Sequence, residues 1–254
     1  MDITEIEKAH TFALKKLLNV APRTPNDMVY GETGRVPLSI DAKSNAIRYW
    51  IRLTRMEDSR LPKKAYNMLI QLDRLNQRCW VTDIRRLALH GFGYVWLNGG
   101  VQNVRGFLRQ FKQRLIDCWK QEWSSRIQEH ERYAIYRTFK FDHSLEPYFE
   151  YIKNKSLRDV FVRLRLGITD MLTHKFRYSS CSHSDLLCPL CKSHNDDEYH
   201  LFCCKVSEKL RLQYLPAELI HTTNQQLSTL NSKKHMNKIA RYIYYCFKLR
   251  SAEQ

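Results

Sequence analysis

Glycine and proline are scarce in this chain. With 8 and 7 of them in 254 residues, it lacks the turn chemistry that an all-β sandwich or barrel with many short strands needs. Carboxylates are scarce too: 26 Asp and Glu stand against 42 Lys and Arg, for a formal net charge of +16. Such an excess does nothing for a core. It points outward, to a polyanion such as nucleic acid or an acidic membrane surface, with a merely solvated basic surface as the plain alternative. Aromatic residues at 12%, interspersed with Arg and Lys, favour nucleic acid. No run approaches the ~20 apolar residues of a spanning helix. The opening Met-Asp-Ile-Thr-Glu has no apolar core of the secretory type. An intracellular, non-secreted protein of the nucleus or cytoplasm is therefore expected, with no membrane partner. Its eight cysteines would be reduced there, which favours metal binding over disulfides.

What is present is helical periodicity. Ile3, Ile6, Ala13, Leu14, Leu17 and Leu18 fall at helical spacing, with a Thr4/Glu7 capping-box pair at the start of the helix. The stretch 21–37, with three prolines and two glycines, reads as a long loop. Helices are expected over 41–56, 63–75 and 79–96, the last stopped by Gly91 and Gly93. In the first of these, Ala46, Ile47, Trp50, Ile51 and Met56 could share one face, with Arg48, Arg52 and Arg55 on another. The clearest element runs from Val104 to Ile127. Val104, Phe107, Leu108, Phe111, Leu115, Trp119, Trp123 and Ile127 keep a 3–4 spacing, as a core stripe does, while Arg105, Arg109, Lys112, Arg114 and Lys120 fall off it. Two further helices are expected over 156–167 and 236–250. Strand-like alternation is weak throughout. The fold class is all-α: a helical bundle-like region, then a small zinc knuckle and a C-terminal helix.

The knuckle is "CPLCKSHNDDEYHLFCC", Cys188 to Cys204. Cys188 and Cys191 at C-x2-C spacing can hold one ion from a tight turn, which Pro189 suits. His200 and Cys204 are four apart and share a face if helical. Two ligands from a knuckle and two from a helix make a tetrahedral Cys3His set, for which Zn(II) is the expected ion. Cys203 competes for the fourth place, and Cys181 and His183 lie just upstream. Four protein ligands close such a site, so its role is structural, and ion binding of roughly 10–16 kcal/mol becomes folding energy. A zinc deaminase would need H-x-E followed by P-C-x-x-C. No H-x-E occurs, and Leu187 precedes Cys188. Glu198 beside His200 reads as a helix-start carboxylate rather than a general base.

Several stretches together resemble the zinc-binding segment at the C-terminal end of LINE-type (non-LTR) retrotransposon reverse transcriptases, and the region before it. They are "RLRLGITDMLTHKFRY", "CPLC" and "DDEYHLFCCKVSEKLRLQYLP", with "EKAHTFALKKLLNVAPRTPNDMVYGETGRVPL", "IRYWIRLTRM" and "GFGYVWLNGGVQNV" upstream. The likeness is collinear over nearly the whole chain. It implies a polypeptide that follows a reverse transcriptase domain in a longer parent protein, with a zinc segment that helps bind nucleic acid during target-primed reverse transcription. The family's ligands carry over onto Cys188, Cys191, His200 and Cys204, and Arg211 falls where the family often has Arg. The family more often has four residues between the His and the last Cys; here there are three before Cys204, which leaves the fourth ligand open. The polymerase itself is missing. The only Asp-Asp is Asp196-Asp197, inside the zinc segment, and no endonuclease or ribonuclease H carboxylate set is evident.

The expected organisation is a helical region over 1–155, a zinc segment with a basic lead-in helix over 156–215, and a C-terminal helix over 216–254. The expected function is non-catalytic, zinc-stabilised binding of RNA or DNA, with Arg163, Arg165, Lys175 and Arg177 on the phosphates. The alternatives are a protein-interaction scaffold presenting the 104–127 stripe, and an element remnant without activity.

Overall fold

The computed structural model describes residues 3–88, 91–176, 182–220 and 231–252. Among the described residues it is all-α, with two isolated β-bridges and no strand. The helices in the first half are α1 (Thr4–Leu18), α2 (Asn26–Thr33), α3 (Leu38–Thr54), α4 (Leu61–Arg74), α5 (Trp80–Ala88), α6 (Gly93–Leu97) and α7 (Val104–Glu129). The second half holds α8 (Tyr136–Phe139), α9 (Tyr148–Tyr151), α10 (Lys155–Arg165), α11 (Leu172–Lys175), α12 (Glu198–Cys203), α13 (Glu208–Tyr214), α14 (Ala217–Ile220) and α15 (Met236–Ala252). Among the described residues no helix is long and apolar enough to cross a membrane.

The chain forms two compact units: residues 1–10 with 36–123, and residues 11–35 with 124–254. This division differs from boundaries at 155 and 215. The Cys/His segment and the last helix do not stand apart, because α15 packs along the lead-in helix α10 and against α13.

The first unit has a continuous apolar core. Ile47, Trp50 and Ile51 of α3 meet Val81 and Ile84 of α5, Val95 of α6, and Phe107 and Phe111 of α7. Trp50 stacks on Trp96 at 5.2 Å, and its indole N–H donates to the Tyr66 hydroxyl at 3.0 Å. Phe92 packs on both Phe107 and Phe111. Along α7, Phe107, Leu108, Phe111 and Trp123 of the 3–4 stripe are buried in this unit and Ile127 is buried in the second, while Val104, Leu115 and Trp119 are half-buried. Lys63 donates to the carbonyls of Leu53 and Thr54 and so satisfies the C-terminus of α3. The single helix expected over 79–96 is two, α5 and α6, parted where Gly91 takes φ +89°.

In the second unit the stretch read as a long loop contains α2. Its six residues from Met28 to Thr33 are all buried. A helix buried on every side shows no amphipathic period, so the periodicity test misses it. The breakers mark its ends instead: Pro25 precedes the first turn, and Gly34 follows the last with φ +62°. A Cβ on Gly34 would lie 2.5 Å from the backbone nitrogen of Leu145, beside the Thr33–Leu145 bridge. The Gly34→Ala variant should therefore lose about 3 kcal/mol, the upper end for a non-glycine left-handed residue because the backbone clash adds to it. A urea melt checks this; a loss below about 0.5 kcal/mol would contradict the close approach.

Candidate metal centre and basic clefts

The segment before α12 is a tight knuckle. The Cys188 amide donates to the His194 carbonyl at 2.8 Å, and the Lys192 amide to the Cys188 carbonyl at 2.9 Å. Lys192 takes φ +51° to close the turn, and the Leu187–Asn195 bridge clamps its base. Asp197 then caps α12, its carboxylate accepting from the His200 amide at 2.7 Å. This places His200 one turn into the helix. The Cys204 amide donates to the His200 carbonyl at 2.8 Å, which keeps the helical register although Cys204 is the first residue with extended backbone.

The donor atoms of Cys188, Cys191, His200 and Cys204 all lie within 4.8 Å of one another. Donors on one ion at ~2.3 Å sit roughly 3.8 Å apart in a tetrahedron, so the four could hold a metal ion with little movement. Cys191 Sγ and His200 Nε2 are 3.2 Å apart. Cys203 ends α12 facing solvent, and Cys204 completes the group. The three-residue gap therefore needs no register shift. Cys181 lies outside the described residues.

Electrostatics in the group suit a cation. Burial works against the Cys191 thiolate. The Ser193 amide, the neighbouring Cys188 and the His194 amide together outweigh it and hold that thiol below its ordinary range. Burial, and then the neighbouring His194, lower His200, which leaves the neutral imidazole that ligation requires. Burial pushes the Cys204 thiol up to about 11, with the charges of Cys188 and Cys191 adding to it. A bound cation would reverse that penalty.

A shell of polar contacts fixes the knuckle in place. Asp196 is buried, accepts from the Leu172 amide at 2.9 Å and pairs with Arg250 of α15. Glu198 is buried and pairs with His174 Nε2, while His174 Nδ1 meets the Thr169 hydroxyl at 2.7 Å. Each carboxylate joins the knuckle to the 169–174 segment. Arg211 donates to the Cys204 carbonyl and to the Ser207 hydroxyl. The Tyr242 hydroxyl donates to the Leu201 carbonyl at 2.6 Å. These partners come from three later or earlier segments, and no spacing rule in the sequence announces them.

The four predicted phosphate contacts do not share one environment. Arg163 and Lys175 line a cleft of about 690 Å³ with Arg23 and Arg132, and Asp170 is the acidic group on its wall. The buried Thr24 hydroxyl on the same wall has no hydrogen-bond partner among the described residues. Arg23 and Arg132 come from distant segments and were not picked out by sequence pattern. Arg177 lies outside the described residues. Arg165 belongs elsewhere: it is 1% exposed and bound by Glu32 (3.2 Å) and Glu146 (2.6 Å), with Lys140 also on Glu146. Phe139, Tyr148 and Phe161 ring its guanidinium. Phosphate cannot reach it; helix α10 turns Arg163 outward and Arg165 into the core.

The first unit carries its own cations. Arg48, Arg52, Arg55 and Arg60 line one groove, and Arg48, Arg105, Arg109 and Lys112 line a second, where Lys112 is paired with Asp41. No protein-family model matches the chain, nor does any curated protein or solved structure.

Two outcomes check these placements. Cys188→Ser should remove bound metal, measured by elemental analysis of reduced, chelator-free protein, while Cys203→Ser should leave the stoichiometry unchanged. Arg165→Met should cost about 3–5 kcal/mol in a urea melt because it leaves two buried carboxylates short of a partner, whereas Arg163→Met should cost well under ~1 kcal/mol.

Proposed function

We propose that this chain is a non-catalytic nucleic-acid-binding module whose zinc ion holds a fold rather than performing chemistry. The observation that carries the reading is the convergence of Arg23, Arg132, Arg163 and Lys175 on one cleft. Cations drawn from four segments to one concave surface suit a phosphodiester backbone. The arginine-lined grooves of the first unit support the same reading.

Zinc is the ion that three thiolates and one imidazole favour, and four protein donors leave no position for a reacting water. The Cys188, Cys191, His200 and Cys204 group would hold it. Its contribution is to fix a segment too short to build a core. In the resemblance to non-LTR retrotransposon proteins, such a segment follows a reverse transcriptase domain and assists its hold on nucleic acid.

A second reading has one observation in its favour. Leu61, Met68, Leu72 and Leu75, on and just beyond α4, are exposed and recur at helical spacing. That stripe suits a protein partner, such as the reverse transcriptase domain of a parent protein. The buried α7 stripe gives this reading no support.

Filter binding of RNA and DNA oligonucleotides across a salt series decides between them. Affinity should fall steeply with salt, and the Arg163→Gln, Lys175→Gln double variant should flatten the slope of log K against log salt by about 2. A wild-type affinity indifferent to salt would remove nucleic-acid binding as the function.

A further inference from the structure

Helix α15 uses one face for the core. Met236, Ile239, Ala240, Ile243 and Cys246 are buried on it. The other face carries Arg241, Tyr244, Tyr245 and Lys248, and these line a groove of about 600 Å³ together with Lys153 and Tyr214. That size falls within the ~300–1,000 Å³ of small-ligand sites. Among the described residues no carboxylate lines it.

The three tyrosines form an aromatic ladder. Tyr214 and Tyr245 stack with centroids 4.9 Å apart and planes 10° from parallel, and Tyr244 meets Tyr245 edge-on at 5.4 Å. The Lys248 ammonium sits 4.9 Å from the Tyr244 ring centroid. Tyr245 is 39% exposed, and Lys153, Arg241 and Lys248 are all exposed. The core explains neither the two adjacent tyrosines on an outward helix face nor their third member from α13. Aromatic faces with cations beside them match unpaired bases joined by phosphates. A duplex does not offer this match, because its base faces are stacked on one another and closed to a side chain.

We propose that this groove is a binding site for single-stranded nucleic acid, RNA or DNA, with bases stacked on the tyrosine ladder and phosphates met by Lys153, Arg241 and Lys248. The proposal rests on the reading of the chain as a nucleic-acid-binding module and gives it a strand preference. The ladder reads no base edge, so the site accepts any sequence.

Fluorescence anisotropy with the full chain tests it. The probes are labelled dT12, labelled U12, a 12-base-pair DNA duplex, and polyglutamate of matching charge. The Tyr244→Ala, Tyr245→Ala double variant should bind dT12 and U12 roughly 10- to 100-fold more weakly than wild type, with duplex affinity unchanged within about twofold. Tyr244→Phe, Tyr245→Phe should keep single-strand affinity, since the ring face does the stacking; this also guards against loss by unfolding, which thermal melts of both variants monitor. If wild type binds dT12 or U12 but the alanine variant binds them equally well, the groove assignment fails while the module reading stands. The same follows if polyglutamate binds as tightly as dT12. If wild type binds no nucleic acid at low salt, the module reading fails and takes the groove with it.

Discussion

A guanidinium with no access to water must be answered by charge, and much of the second unit is arranged to answer Arg165. Leaving it unpaired would cost several kcal/mol. Glu32 comes from α2, Glu146 from the segment before α9, and Lys140 restores the balance on Glu146. Burial works to strip the proton from Arg165, but the two carboxylates outweigh it and hold the group charged. Asn231 adds a bridge from Arg165 to the Phe139 carbonyl. Meeting these partners fixes how α2, α8, α9 and α10 meet. The position of α10 in turn sets where α15 lies and which cations face outward.

The Cys3His group depends on that frame as well as on the knuckle. The four donors are local in sequence, but their positions are braced by Asp196 on Arg250, Glu198 on His174, Arg211 on the Cys204 carbonyl and Tyr242 on the Leu201 carbonyl. Carboxylates are few in this protein, and five of those described are buried: Glu32, Glu146, Asp159, Asp196 and Glu198, against three buried cations. The outer surface is therefore more basic than the composition indicates. The same residues that hold the interior together leave the clefts short of acid.

Local patterns made the metal group and the long helices legible in the sequence. C-x2-C, then His and Cys four apart, specifies the knuckle because each ligand pair needs only one turn of chain. The stripes of α7, α10 and α15 follow from burial on one face. Helix α2 was hidden because it is buried all round. Arg165 was misplaced for a related reason: next to Arg163 it reads as one more basic residue on a basic helix. What buries it is Glu32, 133 positions earlier, and no spacing rule reaches that far. Arg23 and Arg132 join Arg163 only once three separated segments have folded. Expectation and structure part wherever a residue's partner lies far along the chain.

The bracing contacts of α15 have a consequence for how the protein is made. All four donors of the Cys/His group have been synthesised by Cys204, but Tyr242 and Arg250 follow about forty residues later. Until they emerge, Leu201 and Asp196 lack their partners on α15. A nascent chain can thus carry every donor while the scaffold that steadies them is still being synthesised. A premature stop between the two would release a knuckle with its ligands and without its brace.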